Sequence, residues 1–329
     1  MKNSLRSDGH KKDPALEILL EKLNSVLLEP ELNEVKNYEG LRYAPVFIVG
    51  NPRSGTTLVY QYLSRSRCFS YPSNIISRFY NAPYIGALVH RIFLDCDNKG
   101  EIFGTAMISD QFVSKLGKTV GAESPNEFWY FWRRFFKFGE IHKMSERDLE
   151  DIDIRVFINE LAAFESVFDK PVLMKAMIMN WNLEYLISKI PEAIIVFVKR
   201  DPLYNMYSLY QARNEFFGNI NEWYSFKPPE YLFLKDKDVY EQLAGQVIFT
   251  NNHLENILST YSGKIVIQYE DFCKNPENSL DIILEKYPDM KPGRLDMNTS
   301  SIAARTSIES DDFNVTRAKE AISKIDPKY

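Results

Sequence analysis

Apolar residues come in two periods along this chain. Four short apolar runs set between polar turns have the pattern of strands: "PVFIVG" from Pro45, "KPVLMKAMI" from Lys170, "AIIVFVKRDP" from Ala193 and "KIVIQYEDF" from Lys264. The unbroken run Val46 to Val49 suits a strand covered on both faces. Between the runs the period lengthens to that of helices. Thr56, Leu58, Val59, Tyr62 and Leu63 cluster on a helix, "NWNLEYLISKIP" reads as a helix stopped by Pro191, and "LYNMYSLYQAR" and "YEQLAGQVIFTNNHLENILSTY" continue the alternation. The opening residues, up to about 13, are polar and expected to be loose; a helix to about Leu28 follows. Strands alternating with helices predict a three-layer α/β fold, a parallel sheet flanked by helices. From about residue 75 to 168 the sequence is helical and aromatic with no clear strand. A helical insertion capping the active edge of the sheet is therefore expected, within a single α/β domain over residues 1–329.

The turn after the first run gives the fold a P-loop-like character. "GNPRSGTT" keeps Gly50 and Gly55 four residues apart, followed by Thr56 and Thr57. A strand–loop–helix junction of this kind offers backbone N–H groups and the positive end of a helix to an oxyanion. A nucleotide hydrolase needs Lys where this chain has Thr56, to steady the β- and γ-phosphates. The cation here is Arg53, inside the loop, suited to two-pronged contact with an oxyanion. Arg200 ends the third run, and Ser208 follows eight residues later in the next helix. They form either a second phosphate grip at the strand's C-terminal edge or a surface Arg200–Asp201 pair with an incidental serine.

"PRSGTTL" from Pro52, then "RDP" at Arg200 with Ser208 beyond it, resembles the sulfotransferases that use 3′-phosphoadenosine 5′-phosphosulfate (PAPS), as does "YED" with "NP" in "VIQYEDFCKNP". The resemblance implies that Arg53, Ser54, Gly55, Thr56 and Thr57 hold the 5′-phosphosulfate end, and that Arg200 and Ser208 hold the 3′-phosphate, with a weaker match for Arg305. It implies PAPS as co-substrate and 3′,5′-adenosine bisphosphate (PAP) as product, with no metal. It also explains the missing lysine, since no magnesium-bound triphosphate is involved. By position Lys175 matches a family lysine that contacts the leaving-group region. The acceptor implied is a hydroxyl of a sugar, lipid or small metabolite, attacked in line.

The base is less plainly marked. Cytosolic relatives carry His two residues after the lysine, where this chain has Met177, and tyrosylprotein sulfotransferases use Glu in a neighbourhood that here offers Asn74. The candidates left are Glu123 and Glu127 in "GAESPNEFWYFWRRFF", with His90 behind them. Pro125 is expected to start a helix with Glu127 in its first turn, where a carboxylate serves either as a base or as compensation for the helix dipole. Stretches similar to "SPNEFWYFWRR" occur in a branch of bacterial sulfotransferases, which favours Glu127. Trp129 and Trp132 are considered as a shared face for adenine or sugar, against plain core packing, and the aromatic loop "NEWYSFKPPEY" as a cover.

Composition narrows the alternatives. Net charge is -5, against nucleic acid as a partner. The three cysteines have neither metal-ligand nor disulfide spacing, which with the absence of a leader-like or membrane-length apolar run predicts a cytoplasmic protein. Two other classes compete with the sulfotransferase reading. One is a divergent P-loop kinase or nucleotide hydrolase, using Asp201 as a Walker B carboxylate. The other is a non-catalytic nucleotide-binding module.

Overall fold

The computed structural model describes residues 6–7, 11–96, 114–115, 117–288 and 302–326. Most of the opening segment read as loose, and part of the insertion, lie outside them. The four apolar runs are strands: β1 (Val46–Gly50), β4 (Leu173–Lys175), β5 (Ile194–Lys199) and β6 (Lys264–Gln268). They form one parallel sheet in the order β4–β1–β5–β6, with Val46 opposite both Leu173 and Ile194, and Ile195 opposite Lys264. The chain steps from β1 to β4 on one side and then to β5 on the other. The crevice beyond the C-terminal end of β1 is thus the switch point at which such sheets bind ligands.

Alternation across the pleat builds the three layers. Phe47, Val49, Ile195 and Phe197 share a core with Trp132, Phe157 and Leu161 of the insertion. Val46, Ile48, Val196 and Val198 share the opposite core with Val59, Tyr60 and Leu63 of helix Thr56–Arg65 and with Leu280 and Ile283. Burying each such aliphatic side chain contributes about 1.5–3 kcal/mol, so both faces of the sheet are pinned. A third core joins helix Pro202–Phe217 to helices Val239–Leu258 and Val315–Ile325 through Met206, Leu209, Val247 and Ala318.

Local pattern and structure part company in the insertion and the first helix. The first helix runs Pro14–Val35, through Pro30 and beyond the expected end near Leu28. Its last turns are held by tertiary contact: buried Glu31 accepts from Tyr84 N (2.7 Å) and Ile85 N (3.0 Å), capping helix Pro83–His90. The insertion contains helices Trp129–Phe135 and Ile154–Phe168 as expected, but also an antiparallel ladder of β2 (Ser114–Lys115) with β3 (Lys118–Thr119). Strands of two residues are too short to show alternation. Pro125 does not open the helix. Ser73 and Pro125 form a β-bridge, Asn126 Oδ1 accepts from Phe128 N (2.9 Å), and the helix begins at Trp129. Glu127 therefore stands ahead of the first turn, free of any dipole-compensating place within it.

Candidate active site

The β1 loop is shaped by two glycines and bracketed by asparagines. Gly50 has φ +143°, and a Cβ there would lie 2.5 Å from Val198 O; at Gly55, φ +99°, a Cβ would lie 2.3 Å from the Tyr269 ring. Both positions need glycine for conformation and for close approach. Asn180 Nδ2 donates to Gly50 O (2.9 Å), Asn205 Nδ2 to Pro52 O (2.8 Å), and Asn51 Nδ2 to Asn251 Oδ1 (2.7 Å) and Val247 O (3.0 Å). These partners come from three elements, so the loop's shape is fixed from outside. Helix Thr56–Arg65 starts from left-handed Gly55 with no side-chain cap. Its first N–H groups and positive dipole end remain for an anion.

Lys175, at the end of β4, makes one corner of the site. Its Nζ donates to Thr57 Oγ1 (2.8 Å) and to Glu127 Oε1 (2.6 Å), with the lysine side chain 5% and the glutamate 22% exposed. The Trp129 indole N–H donates to the other oxygen, Oε2. Gly117, left-handed at the tip of the β2–β3 turn, completes the corner: a Cβ there would sit 3.2 Å from Glu127 Oε1. Thr56 turns away, its hydroxyl donating to Met177 Sδ (3.0 Å). The position taken by His in cytosolic relatives is thus filled by a core thioether.

The second corner lies beside β5. Buried Arg200 donates from Nη1 to Arg53 O (2.9 Å) and from Nη2 to Arg305 O, and its guanidinium stands 4.6 Å over the Tyr269 ring. Burial pulls it below the usual arginine value, Tyr269 and Glu270 oppose this, and Arg53 adds to it. Arg53 Nε donates to Ser208 Oγ (3.2 Å), so the Arg53 side chain lies with the Arg200–Ser208 pair rather than with Lys175. Arg305 contributes its backbone here, its N–H also donating to Tyr269 OH (3.2 Å). Among the buried polar atoms that have no partner within the described residues are Ser54 Oγ in the loop and Arg200 Nε, along with Asn51 Oδ1 and Asn205 Oδ1. A buried donor left so is costly unless a ligand completes it. A doubly anionic nucleotide with groups at both corners fits the Ser54 and Arg200 orphans and the uncapped helix.

The remaining candidates are not gathered here. Glu123 lies in the bends before Pro125, and the Lys175 hydrogen bonds go to Thr57 and Glu127 instead. His90 is buried with Nδ1 2.9 Å from Ser73 Oγ. Asn74 ties the insertion together, donating to Gly121 O (2.8 Å) and accepting from Asn126 Nδ2 (2.7 Å). Asp201 caps helix Pro202–Phe217 through Leu203 N (2.9 Å) and Tyr204 N (3.3 Å), a local role that leaves little for metal chemistry. Trp132 is wholly buried against Phe47, whereas Trp129 stacks on Phe226 of the aromatic loop (5.0 Å, 13°), so the two indoles share no face. Tyr224 of that loop went unnoticed in the sequence. Burial pushes its phenol up to about 12, with Arg53 pulling down and Glu127 pushing up, so it stays neutral between the two corners. Asn180, Asn205 and Asn251 were also missed; the available signal was amides within otherwise apolar helical segments. Among the described residues no cluster of His, Cys, Asp or Glu has the make-up of a metal site.

A model of the sulfotransferase family matches residues 45–287, which takes in β1, β6 and, apart from Arg305, both corners. No curated protein matches the chain by sequence. Among solved structures, sulfotransferase STF1 from Mycobacterium tuberculosis is similar at TM-score 0.51 and 11% identity, over 92% of this chain and 82% of that one. Sulfotransferase STF9 from Mycobacterium avium (TM-score 0.48, 14% identity, 83% of this chain and 73% of that one) is another. A sulfotransferase from Alicyclobacillus acidocaldarius gives TM-score 0.42 at 14% identity, over 87% of this chain and 93% of that one. At 11% identity the likeness to STF1 is one of fold.

Proposed function

The chain belongs to the sulfotransferase family, and from that premise we propose that it transfers a sulfuryl group from PAPS to an acceptor hydroxyl on a sugar, lipid or small metabolite. The observation that carries this reading is the pair of anion corners one strand apart, the uncapped β1 loop and the buried Arg200, which Arg53 links to Ser208. A triphosphate would engage the first corner alone; a 3′-phosphorylated nucleotide needs the second corner as well. We assign Arg200 and Ser208, with Arg53 beside them and the Arg305 backbone behind, to the 3′-phosphate. The N–H groups of Ser54, Gly55, Thr56 and Thr57 are assigned to the 5′ end. We treat the chain as one α/β domain with its insertion at about 75–168. The cysteines are thiols rather than disulfides, in keeping with a reducing, cytoplasmic setting. None of the described helices is long and apolar enough to cross a membrane.

PAPS, when bound, supplies an activated sulfuryl group whose transfer is a loose, in-line displacement related to phosphoryl transfer. Glu127 takes the proton from the acceptor hydroxyl, and Lys175 Nζ, 2.6 Å from Glu127 Oε1, supplies positive charge where the leaving oxygen becomes anionic. In the resting site these two neutralise each other. An anion arriving at Lys175 competes for its protons and frees a lone pair of Glu127 for the hydroxyl. The neutral Tyr224 phenol adds a donor that brings no charge of its own.

Calorimetric titration with PAP, with ATP plus Mg²⁺ in parallel, tests the reading. Micromolar PAP binding without magnesium is expected. Binding of ATP·Mg²⁺ and none of PAP would replace the proposal with a phosphoryl enzyme. PAP binding without PAP release from PAPS, across a phenol, a hexose and a long-chain alcohol, would leave a nucleotide-binding module.

A further inference from the structure

Glu127 is held by two donors from different parts of the fold, and only one of them has another duty. Lys175 donates to Oε1 and to Thr57, so it is drawn away from the carboxylate whenever an anion occupies the loop. The Trp129 indole N–H donates to Oε2 and has no such competing role. Its ring is stacked on Phe226 at 5.0 Å and 13°. Phe226 is itself 5% exposed and locked by its own loop, with Trp223 Nε1 donating to its carbonyl (3.0 Å) and the His142 ring against its edge (5.2 Å, 87°). A carboxylate with a single hydrogen bond rotates freely about its last torsion, and a second donor on the other oxygen fixes the plane.

We infer that Trp129 is a positioning residue for the transfer reaction: its N–H holds the Glu127 carboxylate in plane once Lys175 turns to the nucleotide, with Phe226 as the platform for the indole. This rests on Glu127 being the base. The loop Asn221–Tyr231 thereby supports the base through the Trp129–Phe226 stack. Its sequence continues from the helix that carries Ser208, so the element around the 3′-phosphate corner also supports the base.

The test uses the full chain, PAPS, and whichever of the phenol, hexose or long-chain alcohol gives the fastest PAP release. Trp129→Phe keeps an aromatic ring beside Phe226 and removes the N–H together with part of the indole's bulk. It is expected to lower kcat about tenfold, to leave KM for PAPS and the Kd for PAP within twofold, and to move the acidic limb of the kcat–pH profile upward, because a carboxylate that loses a donor is less easily kept charged. Phe226→Leu retains the N–H but removes the platform, and is expected to give a smaller loss, about threefold, with the limb moving the same way. It serves as the readout if Trp129→Phe does not fold. Glu127→Gln is run alongside. If it is inactive while Trp129→Phe, or failing that Phe226→Leu, keeps the wild-type kcat and limb, the positioning role is overturned. If Glu127→Gln remains active, the assignment of the base fails instead.

Discussion

Two neighbouring strands of the sheet end in loops that lead into helices, and the two junctions handle the helix start in opposite ways. After β1, helix Thr56–Arg65 begins at a left-handed glycine with no side chain over its N–H groups. After β5, helix Pro202–Phe217 begins at Pro202 under the Asp201 carboxylate, which accepts from Leu203 and Tyr204. The first junction offers backbone and dipole to an anion; the second has spent both on its own cap. Whatever anion the second corner binds must be met by side chains, and Arg200, Ser208 and Arg53 are the ones present. One strand motif thus yields a backbone site and a side-chain site, and the residue at the helix start, Gly55 or Asp201, decides which.

The comparison can be broken most sharply at Lys175, which donates to Thr57 at the backbone site. Lys175→Met is expected to lower PAPS turnover by roughly 10³-fold; a variant retaining most of its turnover would show that the β1 loop acts without it. At the side-chain site, Arg200→Ala should weaken PAP binding by about 10²-fold, as loss of charge-assisted contacts from a buried guanidinium does. Adenosine 5′-monophosphate, which lacks the 3′-phosphate, should bind the variant and the wild type alike. Equal losses for both nucleotides in titration would remove Arg200 from the 3′ corner.

The loop bridging the corners is expected to be acid-sensitive. His142 Nδ1 accepts from Lys227 N (3.3 Å), and burial, aided by Arg133 and Lys227, lowers the imidazole from 6.5 to about 4. Its neutral form is the one the fold prefers. That stability is therefore fully present above pH 6.5 and is lost as pH falls toward 4, by about 2 kcal/mol after allowing for partial exposure. Urea midpoints at pH 7 and pH 4.5, compared with those of His142→Gln, check it: the variant should lose less on acidification. The smallest effect concerns the closed helix start. Asp201→Ala should cost about 1 kcal/mol of stability, read as a lowered Tm, with PAP affinity nearly unchanged. A collapse of nucleotide binding in that variant would mean that Asp201 does more than cap.

Much of this was legible along the chain because the signals are local. The four strands follow from apolar runs and Gly50 and Gly55 from their spacing in a strand–loop–helix unit, whereas Arg200 and Ser208 stood out through the family resemblance. The helix expected to stop near Leu28 and Glu127's expected place in a first turn failed for a common reason. Glu31 is held by helix Pro83–His90, and the segment before Glu127 by the Ser73–Pro125 bridge, partners distant in sequence. The asparagine brackets escaped notice on the same ground: Asn51 meets Asn251 across 200 residues.

By itself the sequence determined the parallel α/β architecture, the missing loop lysine and the residue types available to an oxyanion, since periodicity and spacing are properties of the chain alone. Tertiary structure decided which of these types meet. It set Lys175 between Thr57 and Glu127, turned Arg53 toward Ser208, left Ser54 Oγ and Arg200 Nε unsatisfied, and separated Trp129 from Trp132. Such convergence depends on strand order and on where an insertion folds back over the sheet, and neither is written in any local stretch of residues.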